Sequence, residues 1–144
     1  MKSLFGIVLS GLLALPALAG DDVITYSYDG SFEDAAFGLE TAIVGKGLVI
    51  DHVSHVGDML ARTAGDVGSD VLLFDAAQVF QFCSATLSRK VMEADPMNIV
   101  HCPYGIFVVD RDGEVFIGHR TYEDGPMQQV QELLSDIAEE ASAF

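Results

Sequence analysis

The chain has 144 residues, which suits one domain with its own hydrophobic core after any leader is removed. It is acidic, with 22 Asp and Glu against 7 Lys and Arg and a formal net charge of −15. A field of this sign repels phosphate backbones and anionic lipid head groups. The composition therefore argues against nucleic acid and membrane surfaces as partners.

The first residues have the pattern of a secretory signal peptide. Lys2 precedes an apolar run from Leu4 to Leu15, and small residues follow up to Ala19. The run is short for a membrane-spanning helix, and no second long run follows. We predict cleavage after Ala19, a single mature domain over 20–144, and a periplasmic or secreted location without membrane contact.

The first half of the mature chain predicts two strands and two helices. Val23–Tyr28 is rich in β-branched and aromatic residues, as strands are. Ser31 stands at an N-cap position, and apolar residues follow at helical spacing up to Ile43. A second strand over 48–56 and a short helix over 58–63 come next.

The second half predicts further strands, two helices and a hairpin. Strands are expected at 71–74 and 77–83, and a helix over 84–95 is stopped by Pro96. Strands at 99–109 and 114–122 flank an Asp-Gly turn, which is a strong hairpin signal, and a helix closes the chain from 127 to 144. This order predicts an α+β fold, with helices layered on a mainly antiparallel sheet.

The chain has two cysteines, Cys83 and Cys102. An exported protein can form and keep a disulfide, and this one would close a loop of about twenty residues. Two inert buried thiols, or a functional thiol or metal pair, remain open as alternatives. Spacing alone does not decide among these because a disulfide depends on the distance between the two Cα atoms.

Cys83 and Arg89 are separated by five residues, as in C-S-A-T-L-S-R. This spacing is similar to the anion-binding loop of phosphatases and arsenate reductases, in which a thiolate attacks and an arginine clamps oxygens. A helix N-terminus at Cys83 would favour a thiolate and an anion. However, no glycine lies between the two residues, and so tight a loop usually needs one. A solvated helix face at Arg89 and a non-enzymatic protein are favoured.

His55 is the candidate metal ligand outside the cysteines. Strand geometry places His52 and His55 on opposite faces, so they do not form a joint site. A soft cluster of Cys83, Cys102 and His55, completed by Met92 or Met97, would suit copper or zinc. No compact ligand-spacing motif supports it, so no cofactor is predicted and a metal is kept as an alternative.

Tyr104 follows Cys102 in the segment CPYGIF. Aromatic residues in strands usually belong to the core, but this one could also line a pocket. If a small ligand binds, we expect it between the helix N-terminus at Cys83 and Cys102, flanked by His55.

Three stretches carry a resemblance to a known family: YSYDGSFEDAAFGLETAIVGKGLVI, HVSHVGDML and FCSATLSRKVMEADPMNIVHCPYGIFVV. Together they resemble the domain-of-unknown-function 302 family, from about Val23 to Tyr122. The resemblance implies a compact two-layer sandwich similar to the TATA-box-binding-protein-like arrangement, with β-α-β₄-α order. It implies no activity, and fold likeness to a nucleic-acid binder carries no function by itself.

The sequence is compatible with two functions from different classes. The favoured one is a non-enzymatic periplasmic accessory domain that binds a small ligand or a periplasmic protein, with structural cysteines. The alternative is a thiol-based redox, sulfur or soft-metal-handling protein that uses Cys83 and Cys102, with Arg89 as an anion clamp. Homodimerisation through an exposed sheet edge is also left open.

Overall fold

The computed structural model describes residues 22–144, so the signal-peptide prediction for residues 1–19 lies outside the described part. Five strands form one sheet: β1 Val23–Tyr28, β2 Val49–Ser54, β3 Ala76–Cys83, β4 Tyr104–Arg111 and β5 Glu114–Arg120. The α-helices are α1 Phe32–Gly45, α2 Val56–Thr63, α3 Ala85–Ala94 and α4 Gln128–Ser142. Short 3₁₀ helices span Gly65–Val67 and Pro96–His101. Over this range, no helix is long and apolar enough to cross a bilayer.

The sheet has the order β1-β5-β4-β3-β2, and every neighbouring pair is antiparallel. One strand precedes α1, four follow it, and α4 closes the chain, with α2 and α3 inserted between strands. This confirms the predicted α+β class with a β-α-β₄-α order. Because β1 pairs with β5, the two ends of the domain are joined by long-range hydrogen bonds.

Helices α1 and α4 pack against each other and against one face of the sheet. Ser31 begins α1 as predicted, since its Oγ accepts a hydrogen bond from the backbone N–H of Asp34 at 3.1 Å. The fully buried side chains of this layer come from both helices and from alternate strand positions: Leu39, Ile43, Phe82, Ile106, Val108, Ile117, Leu134 and Ile137. Each contributes roughly 1.5–3 kcal/mol through burial.

The hairpin between β4 and β5 turns at Asp112 and Gly113, as predicted. Both residues have positive φ, 56° and 80°, and Arg111 pairs with Glu114. A two-residue turn of this kind needs left-handed backbone at both positions, which Asp and Gly tolerate. The hairpin fixes the register of β5 on the central strand β4.

Three element predictions need correction. Val71–Phe74 forms no strand, and β2 ends at Ser54 because His55 is already the N-cap of α2. Residues 99–101 belong to a 3₁₀ helix rather than to β4. The cause lies at Asp95, whose side chain accepts from the N–H of Met97 at 2.9 Å, and at Pro96, which suits a first helical turn.

Candidate functional site

The two cysteines form a disulfide at one end of the sheet. Cys83 ends β3 and Cys102 precedes β4, and the pairing of Phe82 with Tyr104 brings the two strand ends together. Their Cα atoms are 6.6 Å apart, within the range that a disulfide spans. Within residues 22–144, neither cysteine is left free, so the structure shows the disulfide among the alternatives that spacing left open.

The loop that this disulfide closes is anchored to the sheet. Ser84 caps α3 by accepting from the N–H of Leu87 at 3.3 Å, and Asn98 Nδ2 donates to the carbonyl of Val91 at 2.8 Å. Ser88 Oγ lies 2.9 Å from the hydroxyl of Tyr104, which is buried in the core. Helix α3 and the 3₁₀ helix after it therefore hold fixed positions relative to β4.

A cleft of about 650 Å³ opens at this same end of the sheet. Three chain segments line it: Asp22 before β1, Asn98 and His101 before β4, and residues 120–127 from the last residue of β5 onward. The antiparallel pairing of β1, β5 and β4 brings these segments together, although they are far apart in sequence. The volume is that of a small-molecule site.

Arg120, Tyr122 and His101 form an aromatic and cationic cluster in the cleft. The His101 ring meets the Tyr122 ring edge-on, with centroids 5.1 Å apart and planes at 84°. The Arg120 guanidinium lies 5.6 Å from the Tyr122 ring centroid, close enough for a cation–π contact. Tyr122 is thus held between a cation and an imidazole.

Two polar atoms of this cluster, His101 Nδ1 and the Tyr122 hydroxyl oxygen, are buried. Neither has a hydrogen-bond partner within residues 22–144. A buried polar group without a partner costs about 1–3 kcal/mol, and here two of them belong to neighbouring rings whose centroids are 5.1 Å apart. Both residues line the cleft, and a ligand in it could bond to these two atoms only after a shift of the His101 or Tyr122 side chain.

The Tyr122 hydroxyl remains protonated at neutral pH. Burial raises its pKa above 10.0, and the positive charge of Arg120 opposes that rise. Two side chains of α4 hold the Tyr122 backbone in place. The Tyr122 N–H donates to Gln131 Oε1 at 2.7 Å, and the Tyr122 carbonyl accepts from Gln128 Nε2 at 2.6 Å. A neutral hydroxyl in a fixed position can both donate to a ligand and accept from it.

His119 lies next to the cleft but is fully buried and bonded at both ring nitrogens. Its Nδ1 is 2.9 Å from the carbonyl of Arg120, and a carbonyl only accepts, so Nδ1 carries the proton. Its Nε2 therefore accepts from Ser135 Oγ at 3.1 Å. Burial lowers the pKa of His119, and the bond to the Arg120 carbonyl opposes that change. The neutral ring fixes the end of β5 that carries Arg120.

The remaining residues predicted from the sequence lie apart from the cleft. The Arg89 side chain is 80% exposed, and its Nε pairs with Glu93 Oε1 on α3 at 2.5 Å. His55 is the N-cap of α2, with its Nδ1 3.2 Å from Gln78 Nε2, and it lies at the opposite end of β2 from Val49, which pairs with Cys83. Tyr104 is a core residue bonded to Ser88.

The structure does not bring His55 to the two sulfur atoms, which are bonded to each other. Between Asp22 and Phe144, no three His, Cys, Asp or Glu side chains converge in a way that could hold a metal ion. A copper or zinc site built on these residues would require reduction of the disulfide and movement of β2 or α2.

The residues that line the cleft were not singled out in the sequence. In the sequence, His101 is marked only by its position beside Cys102. Arg120 and Tyr122 stand at the end of a predicted strand and belong to no motif. Their proximity depends on strand pairing, which places the end of β5 beside the start of β4.

The architecture defines a class: a small α+β domain with a disulfide-closed loop and a polar cleft at one end of a five-stranded sheet. The family profile of the domain of unknown function DUF302 matches residues 24–143, and the chain belongs to this family. The resemblance noted in the sequence is thereby confirmed.

A solved structure supports the fold. An uncharacterized conserved DUF302 protein from Bacillus stearothermophilus superposes with a TM-score of 0.59 at 15% identity, over 84% of this chain and 93% of that one. This likeness speaks to the fold alone. Among curated proteins, none matches the chain.

Proposed function

We propose that this protein is a non-enzymatic accessory domain of the periplasm that binds a small polar molecule in the end cleft, with a structural Cys83–Cys102 disulfide. The observation that carries the proposal is a pair of buried polar atoms without hydrogen-bond partners within residues 22–144, His101 Nδ1 and the Tyr122 hydroxyl oxygen, on two residues that line a cleft of about 650 Å³. The signal-peptide pattern and the disulfide support export, because such bonds persist in oxidising compartments.

The charges around the cleft indicate the kind of ligand. Three carboxylates, Asp22, Glu123 and Asp124, line it together with one guanidinium, Arg120. The excess of negative charge attracts an amino group, while Arg120 can pair with a carboxylate. The expected ligand is a small amino-bearing molecule, and amino acids are the simplest class that uses both signs of charge.

Replacing Tyr122 by Phe is expected to weaken ligand binding about five- to tenfold, which corresponds to one hydrogen bond of about 1 kcal/mol. His101→Phe should have an effect of similar size because it keeps a ring but removes the ring nitrogens. A thermal-shift screen with matched amines, amino acids and carboxylic acids would find the ligand class, and calorimetry would give the dissociation constants.

Tyr28→Phe is the matched control, since it removes the same hydroxyl from the far end of β1. It should bind the selected ligand like the parent protein. The proposal is wrong if no amino-bearing compound in the panel binds, or if Tyr122→Phe and His101→Phe bind as tightly as Tyr28→Phe.

The alternative function, thiol-based redox or sulfur chemistry at Cys83 and Cys102, draws support from one feature. Cys83 lies immediately before the first turn of α3, where a thiolate would be favoured after reduction. Equilibration with glutathione distinguishes the two roles: a potential below about −300 mV marks a structural bond, and a potential near −200 mV marks a redox-active one.

A further inference from the structure

The chain between the two cysteines forms one side of the cleft. We call residues 84–101, which hold α3 and the second 3₁₀ helix, the wall segment. Asn98 and His101 of this segment line the cleft. Cys83 and Cys102 flank the segment directly, so the disulfide joins its two ends. The shape of the cleft therefore depends on where the wall segment lies.

The wall segment buries little of its surface. Between residues 84 and 103, Val91 is the one buried side chain, and Leu87 and Met92 pack half-buried against the core. By contrast, α1 buries six residues and α4 buries five. Elements with few buried apolar contacts open locally at a low free-energy cost, without unfolding the rest of the domain. Three apolar residues of the 3₁₀ helix are exposed: Met97, Ile99 and Val100.

The hydrogen bonds at the turns and caps of the wall segment close among its own residues and Cys102. The backbone N–H groups of Ser88, Asp95, Asn98 and Cys102 donate to the carbonyls of Ser84, Val91, Asp95 and Ile99, respectively. Side-chain hydrogen bonds join the segment to Tyr104 and, at the exposed surface, to Gln129. An exposed hydrogen bond competes with water and adds little stability. Apart from the peptide backbone, the disulfide is therefore the strongest link between the wall segment and the sheet.

The disulfide attaches the cleft end of the wall segment to a fixed point of the sheet. Cys83 lies in the ladder, where it pairs with Val49 of β2. Cys102 lies outside the ladder, since the first residue of β4 that pairs with β3 is Tyr104. His101 is joined to Cys102 by a peptide bond, so the sulfur bridge fixes the position of His101 relative to the sheet.

We propose that the Cys83–Cys102 bond is a redox control point for the cleft. Reduction of this bond by a dithiol releases the wall segment and lowers ligand affinity, while the rest of the domain stays folded. The effect on affinity rests on the proposed function, whereas the release of the wall segment does not. The sulfur atoms act only through the positions of Asn98 and His101, so this role differs from thiol chemistry on a substrate.

The reductant is a dithiol of lower reduction potential, either a protein or a small molecule. Its thiolate attacks Cys102 Sγ, the S–S bond breaks, and Cys83, beside the first turn of α3, leaves as a thiolate and takes up a proton. The second thiol of the reductant then attacks the mixed disulfide and releases Cys102 as a thiol. Two electrons and two protons pass to the protein, and the reductant becomes a disulfide. Both cysteines are half-buried, so the bond lies within reach of such a reagent.

Hydrogen–deuterium exchange of the full chain, purified with its disulfide intact, tests the release directly. With dithiothreitol as the dithiol, the amides of residues 85–101 should exchange roughly tenfold faster or more than in the oxidised protein. The amides of α1, α4 and β5 should stay within about twofold of their oxidised rates, because their core packing is unchanged. Intact mass after alkylation shows that both thiols have been freed.

Calorimetry gives the second readout, with the amino acid that stabilises the oxidised protein most in the thermal-shift screen. The dissociation constant of this amino acid should rise about fivefold or more on reduction, because Asn98 and His101 no longer hold their places in the cleft. If no amino acid binds the oxidised protein, the proposed function fails, and the exchange comparison still decides whether the disulfide controls the wall segment.

Two variants serve as controls. The double variant Cys83→Ser, Cys102→Ser should exchange like the reduced parent protein and should not respond to dithiothreitol. Lys90→Met removes the exposed bond to Gln129 but keeps the disulfide, so it should exchange like the oxidised parent protein.

Four results would overturn the proposal. Reduction leaves the wall segment as protected as before, or all elements lose protection together. Alternatively, oxidised Lys90→Met loses as much protection as the reduced parent protein does, or the affinity for the selected amino acid is unchanged once the segment is released.

Discussion

Replacing both Cys83 and Cys102 by serine is expected to lower the free energy of unfolding by roughly 3 kcal/mol. The disulfide joins residues 19 apart, and a closed loop of that length restricts the unfolded chain by about this amount in the chain-entropy model. For a domain of this size, the melting temperature should fall by roughly 10 °C. Differential scanning calorimetry of the oxidised parent and of the double variant would measure the change.

A dithiol reductant supplies the control for this prediction. It should lower the melting temperature of the parent protein toward that of the double variant and leave the double variant unchanged. If the variant melts within a degree or so of the oxidised parent, the disulfide is not structural. The alternative role in redox or sulfur chemistry would then become the stronger one.

Acid is expected to destabilise the protein through His119. Its pKa is lowered in the folded state by burial, whereas the unfolded chain titrates near 6.5. Below that pH the unfolded state binds a proton that the folded state does not, so stability falls as pH decreases from 6.5 toward the lowered pKa. The groups that face the ring are Ser135, the Arg120 carbonyl and Tyr26, and none of them is a carboxylate that would stabilise the protonated form.

Urea unfolding at a series of pH values would measure this dependence. The slope contributed by His119 can reach about 1.4 kcal/mol for each pH unit inside the window. His119→Gln should be less stable by about 1–3 kcal/mol at neutral pH, because it disturbs two buried hydrogen bonds, and should lose that slope. His52→Gln, at an exposed strand position, should retain it. If His119→Gln keeps the pH slope of the parent protein, His119 is not the source of the pH dependence of stability.

The sequence predicted the elements whose signals are local. Ser31 marked the start of α1, and Asp112 with Gly113 marked the hairpin, since each residue type suits the backbone it adopts. Residues 99–101 were misassigned because an apolar run resembles a strand. In the structure Met97, Ile99 and Val100 are exposed, so burial does not explain that run.

The cleft was not predicted from the sequence. The two cysteines lie at the same end of the sheet as the cleft, and the disulfide was among the alternatives that the spacing allowed. The cleft itself could not be predicted, because His101, Arg120 and Tyr122 meet only after β5 has paired with β4 and β1. His55 was misplaced relative to the cysteines because the direction of β2 in the sheet is a property of the fold, not of local spacing.

One measurement tests the central claim most directly: an NMR titration of the ¹⁵N-labelled protein with the amino-bearing compound selected by the thermal-shift screen. The account predicts that the largest amide shifts lie around Asn98, His101, Tyr122 and Gly125, and that these shifts are about five- to tenfold smaller in Tyr122→Phe at a ligand concentration below the parent dissociation constant. Shifts clustered elsewhere, for example on α2, or shifts of unchanged size in Tyr122→Phe, would contradict it.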